Sequence, residues 1–493
     1  WILKHDPDEI TSVRYKARLV VQGFKQRYGI DYNATYAPVM RSDILRLILA
    51  LYTQDSSIVA AQMDVMTAFL NAHLTEDIYM NSPEGLQART KFVKLLRSIY
   101  GLKQAPHEWF KVIDSFLTSD CNFRRIQSTP CLYLKRDSNG KFVLVGVYVD
   151  DIPIIGHPEL VSQIKSALSQ RFKMADMGEL QNCLGIDIQM SSHSRSLFLS
   201  QTRYITDILK IYGMDMSKPV PTPADDSVKL TQSMSPQTDE DREMVRFESQ
   251  RINYRAAVGH LIWLLHTRPD IAYAVGEVSR YVQNPGPAHF VALKRIFRYL
   301  NGTREYGILY EQDSKTNGPL LRAYCDSDWA GDIDTRRSTS GYIIFANECP
   351  ISFRTKKQSS TALSSCEAET IACALAASEI EWLRNVLIEL GFPQNSPTQL
   401  SVDNFGAIAF GNSEINHSKM KHIDLRSHFI RELVAAGKID IQYVRSAANV
   451  ADIFTKPLGR NKFLELRAHL KCVPRPADCD FSVEGKSQDK CTL

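Results

Sequence analysis

The first 215 residues combine short apolar runs with stretches of helical periodicity. ARLVVQGF and FVLVGVYV have the composition of strands, whereas DILRLILALYTQ indicates an amphipathic helix. Residues 218–250 are rich in Pro, Ser and acidic residues and lack periodicity, which predicts a linker or an exposed loop. Helical patterns return over 252–301, with breaks at Pro269 and Pro285.

Beyond about residue 318, strand patterns come first and then alternate with helices. The runs LLRAYCDSDW, GYIIFA and ISFRTKK predict three short strands, and LSSCEAETIACALAASEIEWLRNVLIEL predicts a long helix. A strand (LSVDN), a helix, a longer helix (KHIDLRSHFIRELVAAG), a strand (DIQYVRS) and a last helix (NVADIFTK) follow. This order indicates an α/β domain on a mixed sheet, and the tail after about 472 shows no clear pattern.

Composition changes this picture little. The 493 residues are 44% hydrophobic and 23% charged, which is ordinary for a globular protein, and suffice for about three domains. The chain contains neither an apolar run of roughly 18 residues nor a signal peptide, so we expect no membrane partner. Ten cysteines without a CxxC pair favour an intracellular setting. Because the chain begins at Trp1, we expect a piece of a longer protein.

Two adjacent aspartates, Asp150 and Asp151, interrupt the apolar run around YVDDIPIIG. Ionised neighbours repel each other and lose hydration there, so the pair needs a solvated turn or a bound cation. The short flanking strands predict a β-hairpin tip, and Asp64 in QMDVMTAFL supplies a third carboxylate after another strand-like run. Three converging carboxylates can hold two Mg²⁺ ions about 4 Å apart for phosphoryl transfer. Spacing alone leaves the solvated turn open.

The stretch DSDWAGDID, residues 326–334, resembles a calcium loop only in part. Asp328 follows Asp326 at the required offset, but Ala330 occupies the third ligand position. Arg337 stands where a bidentate glutamate is needed, which excludes a calcium loop.

Four carboxylates on separate predicted elements form a better metal set. Asp326 ends the first strand, Glu369 lies on the long helix, Asp403 ends LSVD and Asp452 lies on the last helix. Such positions can converge on one metal pair suited to phosphodiester chemistry. Glu367 is expected to point elsewhere, as a surface residue.

His417, His422 and His428 are spaced by five and six residues. These spacings do not stack side chains on one helical face as i, i+4 would. We therefore expect contacts with a substrate or with the sheet rather than a zinc site.

Five motifs in chain order, from about residue 14 to 158, resemble the reverse transcriptase of copia-like retrotransposons: RYKARLVVQGF, DYNATYAPV, QMDVMTAFLNAHL, SIYGLKQAP and YVDD. The resemblance implies a right-hand polymerase with fingers and palm. Asp64, Asp150 and Asp151 match its metal-binding aspartates. Gly101 matches the glycine that lies against the template and the incoming nucleotide.

Nucleotide-binding roles follow from the same resemblance. Phe69 matches the aromatic gate that excludes a ribose 2′-hydroxyl, and a core phenylalanine is the alternative. Lys16 and Arg18 alternate onto one face of a fingers strand, where they could neutralise a triphosphate. Solvated surface charge is the alternative for each of them.

The segments DSDWAGDIDTRRSTSGY, SSCEAETIA, LSVDN, KHIDLRSHFIRE and ANVADIFTKPL, over roughly 320–460, resemble the ribonuclease H domain of that family. The resemblance gives Asp326, Glu369, Asp403 and Asp452 the catalytic, metal-binding roles. It implies cleavage of the RNA strand of a hybrid to a 3′-hydroxyl and a 5′-phosphate.

The region NYRAAVGHLIWLLHTRPDIAYAV through RYLNGT resembles the connecting region of that family. Its basic residues could track the phosphates of a hybrid, with a solvated basic face as an equal alternative. These residues are Lys294, Arg295, Arg298 and Arg304.

The predicted fold is an α+β or α/β multidomain protein. Fingers and palm occupy 1–215, a linker and helical thumb or connection 216–317, a ribonuclease H-like mixed-sheet domain 318–470, and a tail 471–493. The predicted function is RNA-directed DNA polymerase with ribonuclease H activity, using two Mg²⁺ ions per active site, with Mn²⁺ as a substitute. The expected partners are an RNA template, a DNA primer, an RNA–DNA hybrid, dNTPs and other parts of a retrotransposon polyprotein.

Three departures from the family pattern support a different function. Pro153 replaces a leucine or methionine and could loosen the hairpin, since proline lacks an N–H. Met66 replaces a lysine and His107 an arginine, which removes positive charge. The alternative is therefore a catalytically inactive relic or a host-recruited nucleic-acid-binding protein. The resemblance places either form in a cytoplasmic particle or the nucleus.

Overall fold

A computed structural model of the chain describes residues 2–6, 14–83, 85, 90–191, 194–312, 319–404 and 421–477, with the backbone alone over 2–6, 14–17 and 421–424. These residues form two compact units. The first contains the described residues up to 41 and 55–185, and the second contains 42–54 and those from 186 onward. The domain boundaries predicted at 215, 317 and 470 stay predictions.

The α-helices of the described residues are α1 Ser42–Gln54, α2 Ala105–Ser115, α3 Pro158–Arg171, α4 Thr202–Ile211, α5 Asp239–Arg251, α6 Tyr254–Leu264, α7 Ala272–Ser279, α8 Pro287–Gly302, α9 Ser365–Glu389, α10 Lys421–Ala435 and α11 Arg460–His469. Short 3₁₀-helices span Gly23–Lys25, Ala68–Asn71, Gln232–Met234, Pro269–Ile271, Ser446–Ala448 and Val450–Phe454, and a π-helical turn spans Phe116–Asp120.

The strands are β1 Ile2–Asp6, β2 Arg14–Arg18, β3 Val59–Val65, β4 His73–Asn81, β5 Phe92–Arg97, β6 Arg124–Arg125, β7 Leu132–Arg136, β8 Phe142–Gly146, β9 Asp151–Gly156, β10 Met174–Glu179, β11 Asn182–Cys183, β12 Ile186–Met190, β13 Leu197–Ser200, β14 Tyr306–Tyr310, β15 Leu321–Ser327, β16 Thr339–Ala346, β17 Cys349–Lys357, β18 Thr398–Val402, β19 Ile439–Tyr443 and β20 Cys472–Pro474.

The first unit is built on a six-stranded antiparallel sheet in the order β10-β3-β9-β8-β7-β6. Helices α2 and α3 contribute Trp109, Ile113 and Leu168 to the apolar core against this sheet. Because β3 and β9 are interior strands of this sheet, their apolar composition follows from burial. The pairs β1–β2 and β4–β5 form two further ribbons.

The second unit contains a five-stranded mixed sheet in the order β17-β16-β15-β18-β19. Strands β15 to β17 are antiparallel neighbours, whereas β18 and β19 run parallel to β15. Helix α9 packs on β15 and β16. The mixed sheet predicted from the strand and helix order is confirmed.

A helical core completes the second unit. Helices α4, α6, α7 and α8 bury residues such as Leu209, Leu261, Val275 and Phe297 in one apolar cluster. The antiparallel strands β12, β13, β14 and β20 belong to a separate sheet. The helices predicted over 252–301 are confirmed, and no helix of the described residues is long and apolar enough to cross a bilayer.

Three local predictions are corrected. The predicted linker contains α5, which is nucleated by a capping box between Thr238 and Asp241 and buries no residue, so its sequence carries no apolar period. The helix DILRLILALYTQ is α1, buried almost all round rather than amphipathic. The last predicted helix is the 3₁₀-helix Val450–Phe454, which α11 and β20 follow.

Candidate active sites

The predicted β-hairpin tip is confirmed. Tyr148 and Asp151 exchange two backbone N–H···O bonds of 2.9 and 3.0 Å, which close a two-residue loop over Val149 and Asp150. Such loops need positive φ at their first position, and Val149 has φ 56°, an unusual value for a β-branched residue. The loop therefore holds Asp150 in a strained turn while Asp151 begins β9.

A buried tryptophan holds this turn through a hydrogen bond. The indole N–H of Trp109 on α2 donates to the carbonyl of Val149 over 2.6 Å. Trp109 is 2% exposed, and its ring packs edge-on against Phe172 at 5.4 Å between centroids. Sequence reasoning missed Trp109, because a tryptophan in HEWF carries no signal for the distant carbonyl that it meets.

Strand register brings Asp64 beside the pair. Asp64 and Asp151 are direct partners in the antiparallel pairing of β3 with β9, and the N–H of Val65 donates to the Asp150 carbonyl over 2.9 Å. Direct cross-strand partners have Cβ atoms about 4.5–5.5 Å apart. The structure therefore places the three predicted aspartates at the same end of β3 and β9. Among the described residues, their carboxylate oxygens are not a group close enough to share one ion, so their role as metal ligands stays a prediction.

Pro153 is buried in β9, at the position where the ladder between β8 and β9 is interrupted. The Asp151 N–H points toward β8, and strand alternation places the Pro153 nitrogen on the same side. The β8–β9 pairing stops at Val145 and Ile154 and resumes in the same register at Tyr148 and Asp151, so the ladder lacks a bond where it would need that N–H. A Cβ added to Gly146 would lie 3.1 Å from Pro153 Cγ, so a glycine makes room for the ring.

The predicted aromatic gate lies in the core. Phe69, on the 3₁₀-helix Ala68–Asn71, is buried and packs edge-on against Tyr100 with 4.8 Å between ring centroids. The guanidinium of Arg18 lies 5.6 Å from the centroid of the Tyr100 ring. The core position agrees with the alternative for Phe69, and its gate role stays a prediction. The side chain of Lys16 lies outside the described residues.

Gly101 allows two backbone segments to approach closely. Its φ is 94°, and a Cβ added there would lie 2.1 Å from the carbonyl oxygen of Val21. The Val21 N–H donates to the carbonyl of Tyr100 over 2.9 Å. Only glycine fits this position, while its contact with template and nucleotide stays a prediction.

The two positions that depart from the family in charge lie at the surface of the first unit. Met66 is exposed, and its backbone N–H donates to the carbonyl of Lys173 over 2.9 Å. His107 is half-buried, with Nδ1 2.6 Å from the carbonyl oxygen of Tyr36. Neither contact replaces the lost positive charge.

The second carboxylate set converges in the second unit. Asp326 at the end of β15 is 1% exposed, and Glu369 on α9 is 6% exposed. Asp403 directly follows β18, and the ligand oxygens of these three residues all lie within 4.8 Å of one another. Among the described residues, this is the set of three or more acidic, His or Cys side chains that is close enough to share a metal ion.

Asp452 joins this set through a lysine. The ammonium of Lys456 lies 2.8 Å from Asp452 Oδ1 and 3.5 Å from Asp326 Oδ2. The Thr455 hydroxyl donates to Asp326, and the Ser446 hydroxyl donates to Asp403 over 2.7 Å. All four predicted carboxylates thus belong to one cluster.

Burial and mutual repulsion set the electrostatics of the cluster. Desolvation first, and then neighbouring carboxylates, raise the pKa of Asp326 to about 6 and that of Glu369 to about 9, although Lys456 opposes both shifts. Glu369 Oε2 is buried without a hydrogen-bond partner among the described residues. A divalent cation with hard oxygen ligands would supply the missing positive charge, so the donor set fits one.

Sequence reasoning missed Lys456 and Thr455. Lys456 follows Asp452 by four residues, a spacing that favours opposite charges on a helical face and was the available signal. Burial opposes its charge, but Asp326 and Asp452 outweigh this effect and raise the pKa of Lys456.

Three other predictions can be placed. Glu367 accepts the N–H of Leu363 over 2.6 Å at the start of α9, away from the cluster, as expected. His428 is exposed and lies 3.2 Å from Glu432. His417 and the side chain of His422 lie outside the described residues.

In the stretch DSDWAGDID, for which a calcium loop was excluded, two acidic side chains contact protein groups. Asp328 accepts the backbone N–H of Thr339. Asp332 pairs with Arg280 at 3.0 Å and with Lys357 at 2.5 Å. These acidic side chains are therefore held within the fold.

The four basic residues that were candidates to follow phosphates have protein partners instead. Whether they follow phosphates or form a solvated basic face stays a prediction. The contacts are Lys294 with Glu248 at 2.6 Å, Arg295 with Asp225 at 2.8 Å, Arg298 with the Lys218 carbonyl at 2.8 Å, and Arg304 Nε with Asn301 at 2.8 Å.

Comparison with known proteins places this architecture in a family. Residues 1–226 match the family described as reverse transcriptase (RNA-dependent DNA polymerase). The retrovirus-related Pol polyprotein from transposon TNT 1-94 of Nicotiana tabacum is 40% identical over 469 residues, which are 94% of this chain and 34% of that protein. A Saccharomyces cerevisiae protein named for transposon Ty5-1 is 31% identical over 324 residues, 64% of this chain and 100% of its own length.

Among solved structures, the foamy viral protease-reverse transcriptase dRH in complex with ds DNA is 12% identical, with a TM-score of 0.46 over 90% of this chain and 65% of that chain. The chain spans about a third of the length of the transposon Pol polyproteins that it matches. With these relatives, the chain belongs to the copia-like family of retrovirus-related transposon Pol polyproteins and carries its reverse transcriptase domain.

Proposed function

We propose that this chain is an RNA-directed DNA polymerase with a second site that cuts the RNA strand of RNA–DNA hybrids. The observation that carries the proposal is the direct pairing of Asp64 with Asp151 beside Asp150, in a chain whose residues 1–226 match the reverse transcriptase family. The substrates would be an RNA template, a DNA primer and dNTPs.

The finer architecture is part of this proposal. The first unit would supply the fingers and palm, and the mixed sheet with α9 would be a ribonuclease H-like domain. The helices between them would form the connection. The central position of β15, with acidic residues at the ends of β15 and β18, supports this arrangement.

At the polymerase site, Asp64, Asp150 and Asp151 would hold the divalent cations. Bound as a pair at either site, such cations activate an attacking oxygen and stabilise a leaving one in phosphoryl transfer. The protein's contribution is geometry: the β3–β9 register and the turn at Val149 fix the direction of the carboxylates, and Trp109 fixes the turn.

At the ribonuclease site, Asp326, Glu369, Asp403 and Asp452 would hold the cations. Lys456 keeps two of these carboxylates partly neutralised, and Thr455 orients Asp326 by a hydrogen bond. The products would be an RNA 3′-hydroxyl and a 5′-phosphate.

Primer extension on an RNA template in the presence of Mg²⁺ tests the proposal. We expect the wild type to incorporate dNTPs and Asp150→Asn to abolish incorporation. Hybrid binding by the wild type with neither incorporation nor RNA cleavage would instead support the inactive, nucleic-acid-binding alternative that Met66 and His107 favour.

A further inference from the structure

A cavity beside the acidic cluster lies in the second unit. It measures about 510 Å³ and is enclosed by α7, α8, residues 223–230 and the loop after β15. Its wall is largely apolar and includes Val228, Val291 and Trp329, which are 47%, 69% and 57% exposed. Concave apolar sites of this size with a few polar groups are typical of small-molecule sites.

Most acidic side chains in the cavity wall are already neutralised. Asp225 pairs with Arg295 at 2.8 Å, Glu277 with Arg280 at 2.6 Å, and Asp332 with Arg280 at 3.0 Å. These pairs leave little negative charge to repel an anion or to attract a cation.

Several donors in the wall, in contrast, have no acceptor among the described residues. Among the described residues, Lys229 is in no direct ion pair and the Tyr273 hydroxyl donates no hydrogen bond, although the charge of Asp328 acts on both of them. Arg295 Nε is buried without a hydrogen-bond partner. The remaining acid, Asp328, already accepts the N–H of Thr339. The unused hydrogen-bonding capacity of the cavity is thus that of donors.

We infer that this cavity binds a small organic anion with a flat apolar body. The body would pack against Val291 and Trp329, and the anionic head would accept hydrogen bonds from Lys229 and Tyr273. Carboxylate, sulfonate and phosphate heads share this chemistry. Asp328 is the acidic side chain of the described wall that is not in an ion pair and would repel such a head.

Lys456 connects the cavity to the acidic cluster. It lines the cavity and also contacts Asp326 and Asp452. An anion that draws its ammonium away removes the positive charge that compensates both carboxylates, so that the cluster binds a divalent cation more tightly. Linkage then requires a divalent cation to tighten anion binding by the same factor. This coupling, unlike the binding itself, rests on the proposed function.

Fluorescence titration with 8-anilinonaphthalene-1-sulfonate tests the binding. N-phenyl-1-naphthylamine, which has the same rings without the sulfonate, is the matched control probe. Val291→Glu and Val291→Lys place opposite charges at one exposed rim position of α8, and circular dichroism checks their folding. We expect Val291→Glu to weaken sulfonate binding about tenfold, Val291→Lys to keep or tighten it, and neither to change binding of the uncharged probe.

Equal sulfonate binding by the two Val291 variants, or equal affinity of wild type for both probes, overturns the site. For the coupling, Mn²⁺ should tighten sulfonate binding at least twofold in the wild type, and no change or a weakening overturns it. Hybrid cleavage is assayed without probe. Failure of cleavage with the charge-dependent binding intact rejects the proposed function and leaves the cavity site standing.

Discussion

Trp109 donates its indole N–H to the carbonyl of Val149, over 2.6 Å, from a helix that is part of the core. Val149 has the positive φ that its turn requires, and Asp150 is the next residue. This side-chain hydrogen bond adds to the backbone bonds of the loop and opposes relaxation of the turn that contains Asp150. The side chain that holds the geometry lies about 40 residues earlier in the chain.

Replacing Trp109 with phenylalanine keeps an aromatic ring and removes the N–H. We expect kcat for primer extension to fall about tenfold with the KM for dNTP little changed, because one hydrogen bond of roughly 1.4 kcal/mol is lost from the turn rather than from the substrate. Trp263→Phe is the matched control, since Trp263 Nε1 has no partner among the described residues. Equal kinetics for the two variants would refute the role of Trp109.

Pro153→Leu should leave polymerase turnover within about twofold of the wild type. The pairing of β9 with β8 is interrupted at the proline but resumes at Tyr148 and Asp151. The register of Asp64 with Asp151 is set by β3, on the other side of β9, and does not depend on the proline nitrogen. Steady-state primer extension measures this. A severalfold rise in turnover would mean that the proline does loosen the hairpin, as the sequence led us to expect.

The acidic cluster makes the metal-free protein sensitive to alkaline pH. The pKa values of Asp326, about 6, and Glu369, about 9, lie above the roughly 4 of carboxyls in an unfolded chain. The folded protein therefore binds more protons than the unfolded chain over this range, and its free energy of unfolding falls as pH rises. With EDTA present, we expect Tm to drop on the order of 5 °C between pH 5.5 and pH 8.5.

Glu369→Gln should flatten this dependence, whereas Glu367→Gln, two residues away at the helix cap, should keep it. Mg²⁺ should reduce the drop in the wild type, because a cation favours the ionised carboxylates. Thermal unfolding monitored by scanning fluorimetry gives each Tm. An identical dependence of Tm on pH in the wild type and Glu369→Gln would show that the pKa of Glu369 is not raised.

A buried ion pair supports the helical core of the second unit. Arg268 and Asp270 are both buried, 2.8 Å apart, and the Tyr299 hydroxyl also donates to Asp270. Asp270→Ala leaves the Arg268 charge buried without its partner and should lower the free energy of unfolding by about 3–5 kcal/mol. Asp239→Ala, which breaks an exposed pair with Arg242, should cost less than about 1 kcal/mol in the same urea titration.

Periodicity predicted the elements whose faces are buried against a sheet. The strands β15 to β17, helix α9 and the hairpin at Asp150 all follow from apolar runs and their interruptions. Asp326 and Asp403 were placed correctly because a strand end is visible in sequence. Their convergence with Glu369 was expected from the chemistry that such a set performs.

Other features depend on contacts that no local pattern records. Helix α5 buries nothing and is specified by its cap at Thr238, so it carries no apolar period. The partner of Trp109 and the tolerance of Pro153 follow from long-range packing and strand register. The spacing of four residues between Asp452 and Lys456 could have predicted their ion pair, but the contact of Lys456 with Asp326 depends on the fold.

The central claim is that two carboxylate sets perform two separate phosphodiester reactions. Primer extension and hybrid cleavage measured on the same preparations of wild type, Asp151→Asn and Glu369→Gln test it most directly. We expect Asp151→Asn to lose only extension and Glu369→Gln to lose only cleavage. A wild type that binds hybrid but shows neither activity, or a substitution that leaves its own activity intact, would contradict the account.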